Sequence, residues 1–185
     1  MRMKIKVFVI IMIIMAILAG CGSDTENVDP SPTGTSTSEN NTTNPATEKK
    51  SKYFFEYNGI AIHMNEDAKP VLEALGEPQN YFESPSCAFQ GMDRIYSYNG
   101  FDLYTYSDED DENEYVFTVA FMSDAVATTE GIEIGDKFDK VIEKYGDGYE
   151  QSGEQYVYTD ENCKLSFLTK DNEVISIEYS MLLPE

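Results

Sequence analysis

Hydrophobic and polar positions divide the chain into three stretches. An unbroken apolar run extends from Val7 to Ala19. Residues 22–52 show no apolar periodicity, and Ser, Thr, Asn and Pro dominate them. From Tyr53 onward aromatic and aliphatic residues return in regular spacing. Ala68, Val71, Leu72 and Leu75 fall at i, i+3, i+4 and i+7, as do Phe138, Val141, Ile142 and Tyr145. That spacing predicts two short helices, each with one apolar stripe. Gly76 and Gly146 stand where a positive-φ residue would end them, and Pro78 reinforces the first stop. Asp67 or Asn65 can cap the first helix and Asp136 the second, with Pro70 tolerated in an opening turn.

Alternating strand-like runs follow each helix: Arg94–Tyr98, Phe101–Tyr106 and Tyr115–Met122, then Gln155–Tyr158, Cys163–Leu168 and Glu173–Tyr179. The breaks between them are turn-formers: Asn99-Gly100, the acidic run Asp108–Glu114, Asp160-Glu161-Asn162 and Asp171-Asn172. Short breaks imply antiparallel hairpins. The two halves also match at an offset of 70: Val71-Leu72-Glu73-Ala74-Leu75-Gly76 against Val141-Ile142-Glu143-Lys144-Tyr145-Gly146. Upstream, Gly59-Ile60-Ala61-Ile62 matches Gly131-Ile132-Glu133-Ile134. The fold class expected is therefore α+β. Two tandem helix-plus-antiparallel-meander repeats (about 59–122 and 131–179) would lie in one domain spanning 53–185, with the helices packed on one face of the sheet.

The apolar run at the start changes the picture of where the chain resides. It follows three basic residues, Arg2, Lys4 and Lys6, and ends Leu18-Ala19-Gly20-Cys21. A run this short falls below the ~20 residues of a spanning helix and fits a secretory signal. The Leu-Ala-Gly-Cys end resembles the lipobox of bacterial lipoproteins. That resemblance implies a signal peptide over 1–20, cleavage before Cys21, and lipidation of its thiol. The chain would then be held at the cell membrane, on the extracytoplasmic face, with 21–52 as a disordered tether. Formal net charge is −21, and the first 20 residues hold three basic residues and no acidic one. The remaining chain is more acidic still. Such a surface repels phosphate backbones and anionic headgroups, so nucleic acid is excluded as a partner and the lipid must provide the anchorage.

The helix ends and strand order resemble the tandem helix-plus-meander domains of the β-lactamase inhibitor protein superfamily, and the small lipoprotein domains that assist outer-membrane assembly. No inhibitor contact motif of that superfamily has a match here. The segment Ser86-Cys87-Ala88-Phe89-Gln90-Gly91, with Tyr96-x-Tyr98, is similar to uncharacterised lipoproteins of Gram-positive anaerobes. That likeness implies no activity.

Catalytic chemistry finds little support. His63 is the one histidine, and no nucleophile elbow or zinc-binding helix motif accompanies it, so neither a triad nor a zinc site is expected. The acidic run Asp108–Glu114 lacks the spacing of an EF-hand loop and reads as a solvated hairpin tip. No catalytic residue, cofactor or metal is expected. Cys87 and Cys163 are an even pair in an exported chain, which invites a disulfide; the alternative is two free thiols. The chain holds thirteen tyrosines and no tryptophan. Alternation on Phe101–Tyr106 puts Phe101 and Leu103 on one face and Tyr104 and Tyr106 on the other. Tyr98 and Tyr158 could join them from neighbouring strands. A tyrosine-bearing face suits a protein or envelope-polymer partner. The sequence thus points to a tethered binding module. An envelope-assembly or structural accessory is the alternative, and a hydrolase stands behind both.

Cys21→Ala is expected to leave an uncleaved precursor that takes up no lipid label; normal processing and labelling of that variant would remove the lipobox assignment.

Overall fold

The computed structural model describes residues 50–110 and 112–183. The signal sequence, Cys21 and nearly all of the expected tether lie outside them. Residues 50–52, expected to belong to the tether, are docked on the domain. The Ser51 hydroxyl and the Lys52 N–H both donate to the Asp160 carboxylate, and Ser51 is buried.

The chain opens with a two-stranded hairpin, β1 (Phe55–Tyr57) and β2 (Ile60–Ile62), turned by Asn58 and Gly59, both at positive φ. That pair is the favoured two-residue hairpin turn. Helix α1 (Ala68–Leu75) follows, then β3 (Asn80–Pro85), β4 (Met92–Ser97), β5 (Phe101–Ser107) and β6 (Glu114–Phe121). Helix α2 (Phe138–Tyr145) precedes β7 (Glu150–Ser152), β8 (Gln155–Asp160), β9 (Cys163–Lys170) and β10 (Glu173–Met181). The last eight strands form one antiparallel sheet in the order β3-β4-β5-β6-β10-β9-β8-β7.

This architecture corrects the expected fold class. Strands occupy the six segments read as strands, and helices the two read as helices, but the domain is mostly β and not an α+β arrangement of helix-plus-meander repeats. One continuous sheet of eight strands runs through it, with a separate two-stranded sheet and helices of only eight residues each. The reason is geometric. Eight residues of helix span about 12 Å, whereas seven interstrand gaps span roughly 33 Å. Two such helices cannot cover the sheet, and β1–β2 fills the middle. Phe55 packs edge-on against Phe101 and Phe121, with centroids 4.9 and 5.1 Å away, and lies 6.2 Å from Tyr179.

Each helix buries its first apolar pair, Ala68 and Val71 in α1 and Phe138 and Val141 in α2. Leu72, Leu75, Ile142 and Tyr145 pack partly buried beside them. The Asp67 carboxylate accepts the Lys69 N–H and caps α1. Asp136 does not cap α2, whose cap residue Lys137 makes no capping side-chain bond and pairs with Glu173 at 3.2 Å. Instead the Asp136 carboxylate accepts the Glu133 N–H and pairs with Lys140 at 2.7 Å. At the far ends Tyr98 donates to Gly76 O at 3.3 Å and Tyr158 to Gly146 O at 2.7 Å. Both satisfy carbonyls that a helix terminus leaves without a partner.

Phe138→Ala is expected to cost about 3–5 kcal/mol, as truncation of a buried aromatic does. Phe138 is buried and stacks on Tyr156 with centroids 3.8 Å apart. Urea denaturation measures the loss, and a neutral result would mean that α2 is not held by this contact.

Candidate functional site: an aromatic groove on the open sheet face

The strand pairings assign every side chain to a face. On β5, Phe101, Leu103, Thr105 and Ser107 are buried toward the helices, and Tyr104 and Tyr106 point to the opposite, uncovered face. Ile95 pairs with Tyr104, and Phe82 with Ile95, so all three share that face. A register shift between Tyr104 and Thr105 places one extra residue on β6, and Phe117 turns to the open face beside Thr118.

A cavity of about 320 Å³ opens among Phe82, Phe89, Ile95, Tyr104, Phe117 and Leu183, with Ser84 and Asp93 also at its lining. One wall is the β3–β4 loop. Ser86 organises it: its hydroxyl accepts the N–H groups of Ala88 and Phe89, and its own N–H donates to Gly91 O at 2.8 Å. Phe89 then stacks flat on Tyr106, centroids 3.9 Å apart, and edge-on to Phe117 at 5.5 Å. Tyr106 is fixed in turn by its hydroxyl, which donates to Asn65 Oδ1 at 2.9 Å. The loop closes so tightly on β5 that a Cβ at Gly91 would lie 2.1 Å from Asp108 O and 2.5 Å from Ser107 O. Only glycine fits there.

Of the four tyrosines expected to form a binding face, the structure brings two to it. Tyr104 lines the groove, and Tyr106 supports its wall. Tyr98 and Tyr158 are corrected: both are buried on the helix side, where their hydroxyls serve the helix ends. Burial raises the pKa of each, that of Tyr158 to about 12. The expected bridge between Cys87 and Cys163 is also corrected, because both thiols are free. Cys87 lies exposed in the β3–β4 loop, while Cys163 opens β9, buried, with its pKa pushed up to about 12 chiefly by burial. Four interstrand steps separate β4 from β9, roughly 19 Å at ordinary spacing. A bridge needs Cα atoms within about 7 Å.

No protein-family model matches this chain, and no curated protein matches it. Among solved structures it is similar to an extracellular protein containing a SCP domain from Bacillus anthracis str. Ames. Identity is 15%, the TM-score is 0.45, and the likeness covers 64% of this chain and 44% of that one. The chain therefore spans less than half the length of that protein. A likeness at that level assigns neither fold nor activity.

A second, polar cleft of about 440 Å³ lies on the helix side, between α1 and the ends of β4 and β6. At its base the Arg94 guanidinium stands 3.6 Å from Glu83 and 3.7 Å from Glu114. Glu114, read from the sequence as part of the acidic turn, is the first residue of β6. Its carboxylate accepts the hydroxyls of Tyr96 and Thr105. Arg94 and Glu114 thereby tie β3, β4, β5 and β6 together on this side of the sheet. His63 stacks on Phe54 at 4.9 Å, and burial, helped by Lys50 and opposed by Glu66, lowers its pKa. The described residues contain no cluster of His, Cys, Asp and Glu arranged to hold a metal ion.

Gly91→Ala is expected to force the loop off β5, separate Phe89 from Tyr106 and destabilise the fold by about 1–3 kcal/mol, the scale of overpacking. Urea denaturation together with the ring-current shifts of the Tyr106 protons checks both effects. Unchanged shifts would show that the loop does not depend on that contact.

Proposed function

We propose that this chain is an extracytoplasmic, lipid-anchored binding module, and that the aromatic groove is its contact surface for an envelope protein or polymer. The single observation that carries the reading is the asymmetry of the open sheet face. On the first half that face presents Phe82, Ile95, Tyr104 and Phe117 around a preformed cavity. On the second half that face carries Val157 and Thr159 of β8, Lys164, Ser166 and Leu168 of β9, and Ser176, Glu178 and Ser180 of β10, none of them aromatic, with Leu168 and the bulge residue Ile175 exposed singly. A face that only needs to stay solvated is adequately built from Ser, Thr and Lys. The first half holds the exposed Phe82 beside the half-buried Phe89, Tyr104 and Phe117 in a concave arrangement, which is where interaction sites concentrate.

The anchorage rests on the apolar run and the Leu-Ala-Gly-Cys end. No helix among the described residues is long and apolar enough to cross a membrane. The acidic composition agrees with attachment through the lipid on Cys21 and not through a basic patch.

The test compares the full-length chain with a Phe82→Ser/Tyr104→Ser variant and a Val157→Ser control, each immobilised and exposed to fractionated envelope material. Retention of a specific component is expected to weaken by about 2 kcal/mol or more in the double variant, the scale of an interface hot spot, and to be unchanged in the control. Lost stability with unchanged retention would show that the groove aromatics serve the fold and that binding, if any, occurs elsewhere.

A further inference from the structure

The two edges of the eight-stranded sheet are unlike. β7 is three residues long and wholly polar, Glu150-Gln151-Ser152, the short charged edge by which sheets avoid unwanted pairing. β3 is six residues long and almost entirely exposed, with Tyr81 at 49% and Phe82 at 59%. It carries no lysine and no bulge, and its one proline, Pro85, stands at its end. The hairpin bond from Ser86 N–H to Gly91 O sets the parity of the ladder. Ser84, Phe82 and Asn80 turn their backbone groups toward β4, and the N–H and C=O of Tyr81 and Glu83 point away from the sheet. Those four groups form a row ready for another strand.

We propose that β3 receives an extended polypeptide segment as a ninth strand, and that this segment alternates apolar and basic side chains. Alternation follows from the two faces of β3. A strand laid beside it would direct every second side chain to the open face, next to Phe82 and the groove. The others would fall on the helix side, beside Tyr81 and Glu83. The first position favours an apolar side chain. The second favours a cation, because Glu83 carries a carboxylate, Tyr81 presents its ring, and the nearby Arg94 is already shared between Glu83 and Glu114. The wider field has the same sign. Between Asn80 and Phe121 Arg94 is the one basic residue, against nine acidic ones. This charge draws a basic segment toward the edge and repels a second copy of the chain. The placement of the apolar side chains rests on the groove as the binding surface; the strand pairing does not.

The probe is an acetylated, amidated octapeptide of alternating lysine and valine, titrated into the full-length chain held in nanodiscs of zwitterionic lipid. Saturable binding is expected, with the Tyr81 and Glu83 amides protected from hydrogen exchange. Affinity is expected to be at least tenfold higher than for the same peptide N-methylated at alternate residues, or for its glutamate–valine counterpart. Tyr81→Pro, which removes an outward N–H without touching the bonds to β4, is expected to weaken binding at least tenfold; the N-methylated peptide gives the same information with the protein unaltered. Equal binding of the N-methylated peptide, or unchanged exchange at both amides, would overturn strand addition. Equal binding of the glutamate peptide would overturn the basic partner. A dimer of the chain alone that Tyr81→Pro dissolves would give the edge to a second copy. If the Phe82→Ser/Tyr104→Ser variant loses envelope retention while both amides stay unprotected by the peptide, the groove reading stands and strand addition alone fails. Protected amides, with retention indifferent to that variant, would leave strand addition standing and remove the groove as the contact surface.

Discussion

The pairing of β6 with β10 is the contact on which the rest of the fold depends. Three register pairs, Thr118 with Ser180, Val119 with Tyr179 and Ala120 with Glu178, join β3–β6 to β7–β10. Val119 and Tyr179 are fully buried on the covered side of this seam, and Phe55 of the β1–β2 hairpin lies over it. Without the seam each half would be a four-stranded sheet under a single eight-residue helix, too little apolar cover to offset the entropy of ordering the chain. With it, the aromatic cluster around Phe55 spans both halves, and the sheet is left with only two edges. The seam also explains why one edge can be open. Strand pairing at the centre is protected by burial, and the exposed strands are the two at the edges, β3 and β7.

The two halves differ in structure, and the difference is local. A single register shift between Tyr104 and Thr105 turns Phe117 outward without disturbing Val116 and Val119, which remain buried. The β3–β4 loop then folds back on β5, a contact that depends on the missing side chain at Gly91. β7 and β8 are joined more simply, with Gln155 directly opposite Ser152, so that turn does not fold back over the sheet as the β3–β4 loop does.

The sequence was legible wherever a period was clean. The 3.6-residue stripes located both helices, and the two-residue alternation located six strands and put Tyr104 and Tyr106 on the face away from Phe101 and Leu103. It failed where period and partner separate. Tyr98 and Tyr158 alternate correctly along their own strands, but which face they take follows from pairing: Tyr158 lies opposite Leu165 of β9, and so falls on the buried side. Sheet width cannot be read from a stripe either, so the covering role of β1–β2, and with it the mostly β character, was hidden. Asn58-Gly59 between apolar neighbours was a usable signal for that hairpin. β3 was missed because its exposed run Asn80–Pro85 has no buried face to impose alternation. Phe82 and Phe89 were missed with it, and Phe117 because a bulge breaks the period it would have followed. The Cys87–Cys163 pairing rested on parity of number alone, which carries no distance.

What distinguishes the groove from an ordinary aromatic patch is that its wall is held by contacts within the domain. The Ser86 hydroxyl accepts two backbone N–H groups, Gly91 seats the loop against Ser107 and Asp108, and Phe89 rests on Tyr106, which is itself tied to Asn65. Immobilising a flexible, rotamer-rich side chain at an interface costs about 0.5–1.5 kcal/mol, and a preorganised wall would spare the proposed contact much of that cost. A loop selected only for solubility has no reason to hold a phenylalanine over an open cavity. The same ordering keeps Phe89 and Tyr106 from collapsing inward to fill it, so the cavity persists because its aromatic walls are already satisfied by one another.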